Sequence, residues 1–192
     1  MALSDSDLII RAQNGDAMAF EELVYRYDKN VLSIALKYTN NEDEAKDIYQ
    51  DVFIRVFKGL KNFQFKSEFS TWIYRITTNV CLTFKTNSKK HSFVPIENDK
   101  DDDEDNFESV ILSTGEEESN PDNIAAYGQL ENHLNELLEQ LPPKQKLCFV
   151  LKHYEGYKIR EIAKLLECQD GTVKKYLFEA THKLRSKLVQ YT

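Results

Sequence analysis

The chain has 192 residues, of which 41% are hydrophobic and 11% aromatic; this is enough apolar material for one domain or two small ones and excludes a wholly disordered protein. Its formal net charge of -7 is unevenly distributed. Residues 1–91 carry 13 basic and 12 acidic side chains, residues 92–126 carry 1 and 12, and residues 127–192 carry 11 and 8. Because the acidity belongs to one central segment, it does not argue against nucleic-acid binding by either end.

Cysteine, histidine and hydropathy patterns exclude several other classes of protein. Cys81, Cys148 and Cys168 form no CxxC pair, and because each sits in an apolar helical context we predict that they are small buried residues. The four histidines are scattered and form no HExxH motif, so we predict no enzyme, no cofactor and no metal site. The apolar run near the N-terminus is too short for a signal peptide, and no stretch approaches the ~20 apolar residues that span a bilayer. We therefore expect a soluble protein of the reducing cytoplasm.

The periodicity of the first forty residues predicts two helices. Ser4 or Asp5 can cap a short helix that ends before Gly15. Asp16 can cap a second helix, in which apolar residues recur every three or four positions for about five turns. The pair of asparagines that begins at Asn40 interrupts this pattern.

A third helix is predicted from the acidic cluster at Glu42, where negative charge suits the positive end of the helix dipole, to about Gly59. Its outward side mixes charged, polar and apolar residues: Asp47, Gln50, Asp51, Ile54, Arg55 and Phe57. Such a mixture is typical of a protein–protein surface. A solvated face with incidental apolar residues, where each i, i+4 ion pair contributes about 0.3–0.5 kcal/mol, explains it equally well.

The most informative stretch runs from Phe63 to Lys90 and interleaves aromatic rings with cations. Rings stack on unpaired bases and cations follow phosphates, so the combination is typical of single-stranded nucleic-acid binding. We predict a helix over residues 71–85 with Ser70 as its N-cap. One side of this helix is an apolar stripe, formed by Ile73, Ile76, Val80 and Phe84. The outward side carries Trp72, Arg75 and Asn79. From this stretch alone, a Trp72 packed under a neighbouring helix is an equally good interpretation.

Between residues 92 and 126 the periodicity disappears. This segment holds 12 acidic residues and is predicted to be a flexible, disordered linker. Its aspartates from Asp101 onward are spaced like the start of a calcium loop. However, Asn106 occupies the glycine position of such a loop and Leu112 its glutamate position, so we predict no calcium site.

The last third of the chain predicts a helix-turn-helix. Helical spacing resumes near Ile124, and Pro143 begins a further helix. Two short helices joined by a turn at Glu167–Gln169 then match the helix-turn-helix pattern. The second of these helices carries side chains that can reach phosphates and base edges in a major groove: Thr172, Lys174, Lys175, Tyr176, Lys183 and Arg185. The alternative is a helical hairpin with a solvated basic face.

The predicted architecture is therefore all-α, with two small helical domains joined by the acidic linker. We place an N-terminal helical bundle at residues 1–91, the linker at residues 92–126, and the helix-turn-helix domain at residues 127–192.

Both ends of the chain resemble one family, the extracytoplasmic-function (ECF) sigma factors, which give bacterial RNA polymerase its promoter specificity. In the first domain the resemblance rests on AFEELVYRY (Ala19–Tyr27), EDEAKDIYQDVFIRVF (Glu42–Phe57) and F-x5-F-x-x-W-x-x-x-I-x-x-N (Phe63–Asn79). In the second it rests on LPPKQKLCFVLKHYEGYKIREIAKLL and DGTVKKYL. The order of these motifs and their separation by a linker make the resemblance specific.

The resemblance implies a role for each part of the chain. The third helix would dock on the clamp coiled coil of the largest polymerase subunit through Asp47, Gln50, Asp51, Phe53, Arg55 and Phe57. The loop and helix that follow would open the minus-ten promoter element and take a flipped base into a pocket, through Phe63, Lys66, Ser67, Trp72, Arg75 and Asn79. The helix-turn-helix would read the minus-thirty-five element through the six residues named for it above. The implied partners are core RNA polymerase, promoter DNA in double-stranded and melted form, and an anti-sigma protein.

Some positions depart from the family pattern. Glu167 stands where the family often has a glycine in the turn, and Thr83 stands where an aspartate is frequent. Tyr176, Glu179 and Thr181 occupy positions of the second helix that are often arginine. Fewer cations neutralise fewer phosphates, so we expect weaker and less salt-dependent DNA binding by this domain alone.

A second hypothesis is a helix-turn-helix transcriptional regulator whose N-terminal domain senses a signal or dimerises. The aromatic and basic stretch at residues 63–90 favours the sigma factor, because a sensor domain has no need of it.

Overall fold

The computed structural model describes residues 3–88 and 133–188, with the side chains of residues 85–88 excepted. In these two ranges every regular element is a helix, which confirms the all-α prediction. The predicted linker, its calcium-like aspartates and the helix start near Ile124 lie outside the described residues. The elements are α1 (Asp5–Gln13), α2 (Ala17–Thr39), α3 (Glu42–Leu60), α4 (Phe69–Ser88), α5 (133–139), α6 (Pro143–Phe149), a π-helical turn (Val150–Tyr154), α7 (Ile159–Leu165) and α8 (Asp170–Leu188).

Polar side chains set the starts of the first three helices. The Ser4 hydroxyl oxygen accepts a hydrogen bond from the Asp7 N–H at 3.2 Å, and the Asp7 carboxylate accepts one from the Ser4 N–H in return. Asp16 accepts from the Ala19 N–H at 3.1 Å. Asn41 accepts from two N–H groups of the first turn of α3, at 2.9 and 3.0 Å. The predicted caps at Ser4 and Asp16 are confirmed.

The four N-terminal helices pack into a bundle around an apolar core. Each helix turns its regular three-to-four stripe inward, and burial of each aliphatic side chain contributes about 1.5–3 kcal/mol. Side chains at the centre of this core with no more than 1% exposure include Leu23, Val31, Ile34, Ile48, Val52 and Ile73.

Helix α4 begins two residues earlier than predicted. Its first residue is Phe69, so Ser70 lies inside the helix and is not its N-cap. The Phe69 side chain is only 4% exposed and meets the ring of Tyr27 edge-on at 5.3 Å. The Trp72 N–H donates to the Glu68 carbonyl at 3.1 Å and closes the first turn. We attribute the earlier start to this anchoring of Phe69 in the core.

Residues 133–188 form a second unit, which contains the predicted helix-turn-helix. Helix α6 begins at Pro143, as predicted, and continues into a π-helical turn that the sequence did not indicate. That wider turn is closed by a hydrogen bond from the Glu155 N–H to the Val150 carbonyl at 3.2 Å. Residues 166–169 then join α7 to α8, and Glu167 in this connection has a positive φ of 51°.

The two units pack against each other and share buried residues. Apolar side chains of α6, α7 and the π-helical turn belong to the same contiguous core as those of α2 and α4. At this contact the Thr78 hydroxyl donates to the Leu165 carbonyl at 3.4 Å, and the Ser33 hydroxyl donates to Glu155 at 2.7 Å. Helix α4 is therefore covered on two sides.

Two of the three cysteines are where the sequence predicted them. Cys81 and Cys148 are buried in helices, and burial raises the pKa of each thiol to about 12, so neither is a thiolate at neutral pH. Cys168 is half-buried in the connection before α8, where the sequence predicted a turn at Glu167–Gln169.

Candidate nucleic-acid interface

The outward face of α3 brings together most of the residues predicted for docking. Asp51 and Arg55 form a two-point ion pair, with nitrogen–oxygen distances of 2.9 and 3.0 Å. Beside them Ile54 is 44% exposed and Phe57 is 65% exposed. Asp47 and Gln50 are also exposed on this helix. Large apolar side chains left in solvent next to charges are typical of a surface that a partner covers.

Phe53 does not belong to that face. It is only 9% exposed, and its ring packs on Tyr49 with centroids 4.8 Å apart. The structure thus assigns Phe53 to the core, contrary to the predicted docking role. The exposed face extends to α2 instead, because the ring of Phe57 meets that of Phe20 edge-on at 5.2 Å.

The loop between α3 and α4 is held in place from α1. The side-chain amide of Gln13 donates to the carbonyls of Leu60 and Phe63, each at 2.9 Å. Phe63 is only 8% exposed, and its ring packs on that of Trp72 at 5.0 Å. Phe63 was predicted to meet DNA, but in this structure its ring is part of the core.

The exposed part of the loop lies two residues further on. Lys66 and Ser67 are exposed, as a DNA contact requires. Phe65, which was not among the predicted contacts, is 45% exposed and has a positive φ of 56°. The spacing of the two rings gives no signal for this arrangement, because side chains two residues apart point to the same side of an extended segment.

The sequence allowed Trp72 to be either an outward contact for DNA or a residue packed under a neighbouring helix, and the structure shows features of both. Its indole is half-buried, with ring centroids 5.0 Å from Phe63 and 5.5 Å from Phe69. On the α3 side it lies against Gly59, where a Cβ would stand 3.0 Å from Cζ2 of the indole. The absence of a side chain at Gly59 therefore makes room for the indole. Trp72 packs in the bundle and still has accessible surface.

Arg75 and Asn79 follow Trp72 at helical spacing, and the structure places them differently. Asn79 is exposed. The guanidinium of Arg75 reaches the helix-turn-helix, where it donates to the Lys164 carbonyl at 3.2 Å and pairs with the Glu167 carboxylate at 3.1 Å. Arg75 thus lies at the contact between the two units and not on a fully open surface.

The six residues predicted on the second helix of the helix-turn-helix divide into two groups. Lys174, Lys183 and Arg185 are exposed. The other three are half-buried. Tyr176 packs against the shared core, and Thr172 is in the first turn of α8. The Lys175 ammonium lies 3.9 Å from the Glu179 carboxylate.

Two exposed rings on α8 were missed by the sequence reasoning. Phe178 is 48% exposed, and His182 one turn later is exposed with its ring centroid 6.2 Å away. They complete a stripe with Lys174 and Arg185 at spacings of four, four and three residues. Testing the exposed positions of α8 for this spacing could have found them.

Neither a metal centre nor a membrane-spanning helix occurs among residues 3–88 and 133–188. No group of three His, Cys, Asp or Glu side chains there could hold a metal ion. No helix in that part of the chain is long and apolar enough to cross a bilayer.

Comparison with known proteins gives the family. The Sigma-70 region 2 model matches residues 23–91, and the Sigma-70, region 4 model matches residues 132–184. The ECF RNA polymerase sigma-E factor of Escherichia coli strain K12 is 32% identical over 187 residues, which cover 97% of this chain and 95% of that protein. The chain belongs to the ECF sigma factors. The RNA polymerase sigma-H factor of Pseudomonas aeruginosa is 30% identical to this ECF sigma factor over 176 residues, which cover 92% and 89% of the two chains.

Solved structures share the fold of this ECF sigma factor. CnrH in complex with the cytosolic domain of CnrY has a TM-score of 0.64 and 19% identity, with 98% of this chain and 99% of that chain covered. The sigma factor RpoE of Bartonella quintana, in complex with the anti-sigma factor NepR, has a TM-score of 0.55 and 15% identity, with 88% and 96% covered. The two family models and the sigma-E relative confirm the predicted function: the protein is a sigma factor, which directs bacterial RNA polymerase to promoters.

Proposed function

We propose that this sigma factor divides promoter recognition among three surfaces and catalyses no reaction itself. The α3 face docks on core polymerase, the Phe63–Glu68 loop with α4 opens the minus-ten element, and α8 reads the minus-thirty-five element. The corresponding domains are residues 1–91 and 127–192, with residues 92–126 as linker. The protein works in the cytoplasm with the polymerase, and an anti-sigma protein is part of the proposed partner set.

The docking role is supported above all by the exposed apolar residues of α3. Ile54 and Phe57 are on the helix whose opposite face includes Ile48 and Val52, both completely buried. A helix that needed only to hold the bundle together would not leave Phe57 65% exposed. The adjacent Asp51–Arg55 pair supplies charge that can orient a partner, since rim charges act mainly on specificity and association rate.

Reversing the charge at Asp51 tests the docking surface. We expect Asp51→Lys to weaken association with core polymerase about fivefold, because it replaces an ion pair by two adjacent cations on the docking face. The measurement is a titration of labelled full-length protein with core polymerase, followed by fluorescence anisotropy.

The matched control is Glu42→Lys. Glu42 is on the same helix, nine residues earlier, which at about 100° per residue is the opposite side of α3 from Asp51. Its side chain is 82% exposed, so the same change of charge disturbs no core packing. Equal affinity of the Asp51→Lys and Glu42→Lys proteins for polymerase would contradict the docking assignment.

The minus-ten role rests on the exposed loop beside Trp72. Lys66 and Ser67 can meet the DNA backbone, and the accessible part of Trp72 can meet a base. Asn79 on the same helix offers an amide that can bond a base edge. Arg75 joins this set when its contact with Glu167 opens.

The minus-thirty-five role rests on the exposed stripe of α8. Lys174 and Arg185 carry the charge that neutralises phosphates, and the ring of Phe178 can contact a thymine methyl group in the major groove. His182 stands beside Phe178 on this stripe. We therefore rank Phe178 and His182 above the half-buried Thr172 as candidate contacts.

A further inference from the structure

We propose that Phe65 is the aromatic ring that stacks on an unpaired base when the minus-ten element opens, and that Phe63 is the ring that supports it. The proposal rests on the minus-ten role proposed above for the Phe63–Glu68 loop. It names the contact within that loop, where the sequence had pointed to Phe63.

The exposure of the two rings separates their roles. Phe63 is 8% exposed and packs between the bundle and Trp72, so its faces are already used. Phe65 is 45% exposed. Their planes meet at 64° with centroids 5.2 Å apart, which is an edge-to-face contact. Phe63 therefore covers at most one face of Phe65, and stacking on a base needs only one free face.

The backbone at Phe65 is in the left-handed region, with φ at 56°. Glycine adopts this conformation without steric cost, whereas a bulky side chain there is an outlier. Among residues 3–88 and 133–188, Asn40 and Glu167 also combine a positive φ with a side chain. Asn40 ends α2 and has an amide that tolerates the conformation, and Glu167 is in the helix-turn-helix connection, paired with Arg75. A phenylalanine held in this conformation with its ring half in solvent does little for the stability of the bundle. Strained positions of this kind concentrate at functional sites.

The loop is fixed tightly enough to present the ring. Gln13 bonds the Leu60 and Phe63 carbonyls, and the Phe63 N–H donates to the Leu60 carbonyl at 3.0 Å. These three hydrogen bonds anchor the backbone two residues before Phe65. Lys66, directly after it, is exposed and provides a cation for the phosphate next to the stacked base. A pre-ordered ring loses less conformational entropy on binding than a mobile one.

The competing explanation is that Phe65 merely shields Phe63 from water. The two explanations differ in what the side chain must be. Shielding requires apolar bulk, which leucine also provides. Stacking requires a flat π-face, which leucine lacks and tryptophan retains.

The experiment uses full-length protein bound to core polymerase and a pool of synthetic duplexes. Half of the duplexes contain a premelted bubble of random sequence, and the other half are fully paired. Sequencing of the retained DNA gives the preference for the bubble. We expect Phe65→Leu to reduce this preference about tenfold, since stacking of one base on an aromatic ring has about this effect, and Phe65→Trp to preserve it.

Two glycine variants control for backbone strain. Phe65→Gly removes both the ring and the steric cost of the left-handed backbone, so we expect it to lose the bubble preference without a lower melting temperature. Asn40→Gly relieves a left-handed position at the end of α2, outside the loop, and should leave the preference unchanged.

The outcomes distinguish this inference from the proposed function. A Phe65→Leu protein that prefers the bubble as strongly as the unsubstituted protein overturns the stacking role and leaves the minus-ten role of the loop intact. An unsubstituted protein that binds polymerase but shows no preference for bubble DNA overturns the proposed function itself. A Phe65→Trp protein that behaves like Phe65→Leu also contradicts stacking.

Discussion

Trp72→Ala is expected to lower the free energy of unfolding by about 2–4 kcal/mol and to abolish promoter opening. The indole packs on Phe63 and Phe69, so its removal leaves a cavity between α3 and α4. The same change removes a ring from the surface that we assign to the minus-ten element. Denaturant unfolding measures the first effect, and permanganate reactivity of melted thymines in the polymerase complex measures the second.

Because Trp72→Ala disturbs folding and the DNA surface together, a second variant must separate them. Gly59→Ala leaves Trp72 in the chain but places a Cβ 3.0 Å from its Cζ2 and 3.3 Å from its Cη2, so the indole must shift by a few tenths of an ångström. Alanine near the end of α3 is favoured over glycine by up to about 1 kcal/mol, which offsets the steric cost. We expect nearly unchanged stability and weaker opening. If Gly59→Ala opens promoters normally, the position of the indole matters for packing alone.

The parts of the fold that depend on near neighbours in sequence could be predicted. The caps at Ser4 and Asp16 use N–H groups only three residues away, so the local sequence contains everything that the interaction needs. The start of α4 could not be found in this way. It depends on the packing of Phe69 against Tyr27, a residue 42 positions earlier in the chain.

The candidate site was predicted to the level of the segment and less well to the level of the residue. Periodicity assigns faces within a helix, but the Phe63–Glu68 loop has no period. Which phenylalanine turns inward is decided by the contact of Phe63 with Trp72 and by Gln13, which is 50 residues from Phe63. Phe53 was misplaced for a related reason, since its packing on Tyr49 fills the edge of the core beside the outward face of α3.

The contact between the N-terminal bundle and the helix-turn-helix unit also could not be predicted from the sequence. Thr77 and Thr78 are polar and adjacent, so a helical wheel cannot predict that both are completely buried. Their burial becomes intelligible once α6 and α7 are seen to pack on α4. This packing links the two surfaces proposed to bind DNA, because Glu167 of the helix-turn-helix forms an ion pair with Arg75 of the minus-ten surface.

Loosening the contact between the units is expected to raise the affinity of the polymerase-free protein for single-stranded DNA by an order of magnitude or more. Thr78→Gln does this without changing charge. Thr78 is completely buried, and its hydroxyl lies 3.4 Å from the Leu165 carbonyl, so a longer side chain cannot fit. Overpacking of this kind costs about 1–3 kcal/mol, which shifts the balance toward separated units and releases Arg75 from Glu167. Anisotropy of a short labelled oligonucleotide of mixed sequence gives the affinity.

Thr83→Gln is the matched control, because it makes the same neutral change at an exposed position of α4. It should alter neither the DNA affinity nor the hydrodynamic radius, whereas Thr78→Gln should increase both. A larger radius could come from unfolding or from separation of the units. The thermal transition tells them apart, because an unfolded Thr78→Gln protein would lose its cooperative transition and a protein with separated units would keep it. If Thr78→Gln enlarges the radius and keeps that transition but binds DNA no better, then contact with the helix-turn-helix does not restrain Arg75. In that case Arg75 contributes to holding the two units together and has no part in meeting DNA.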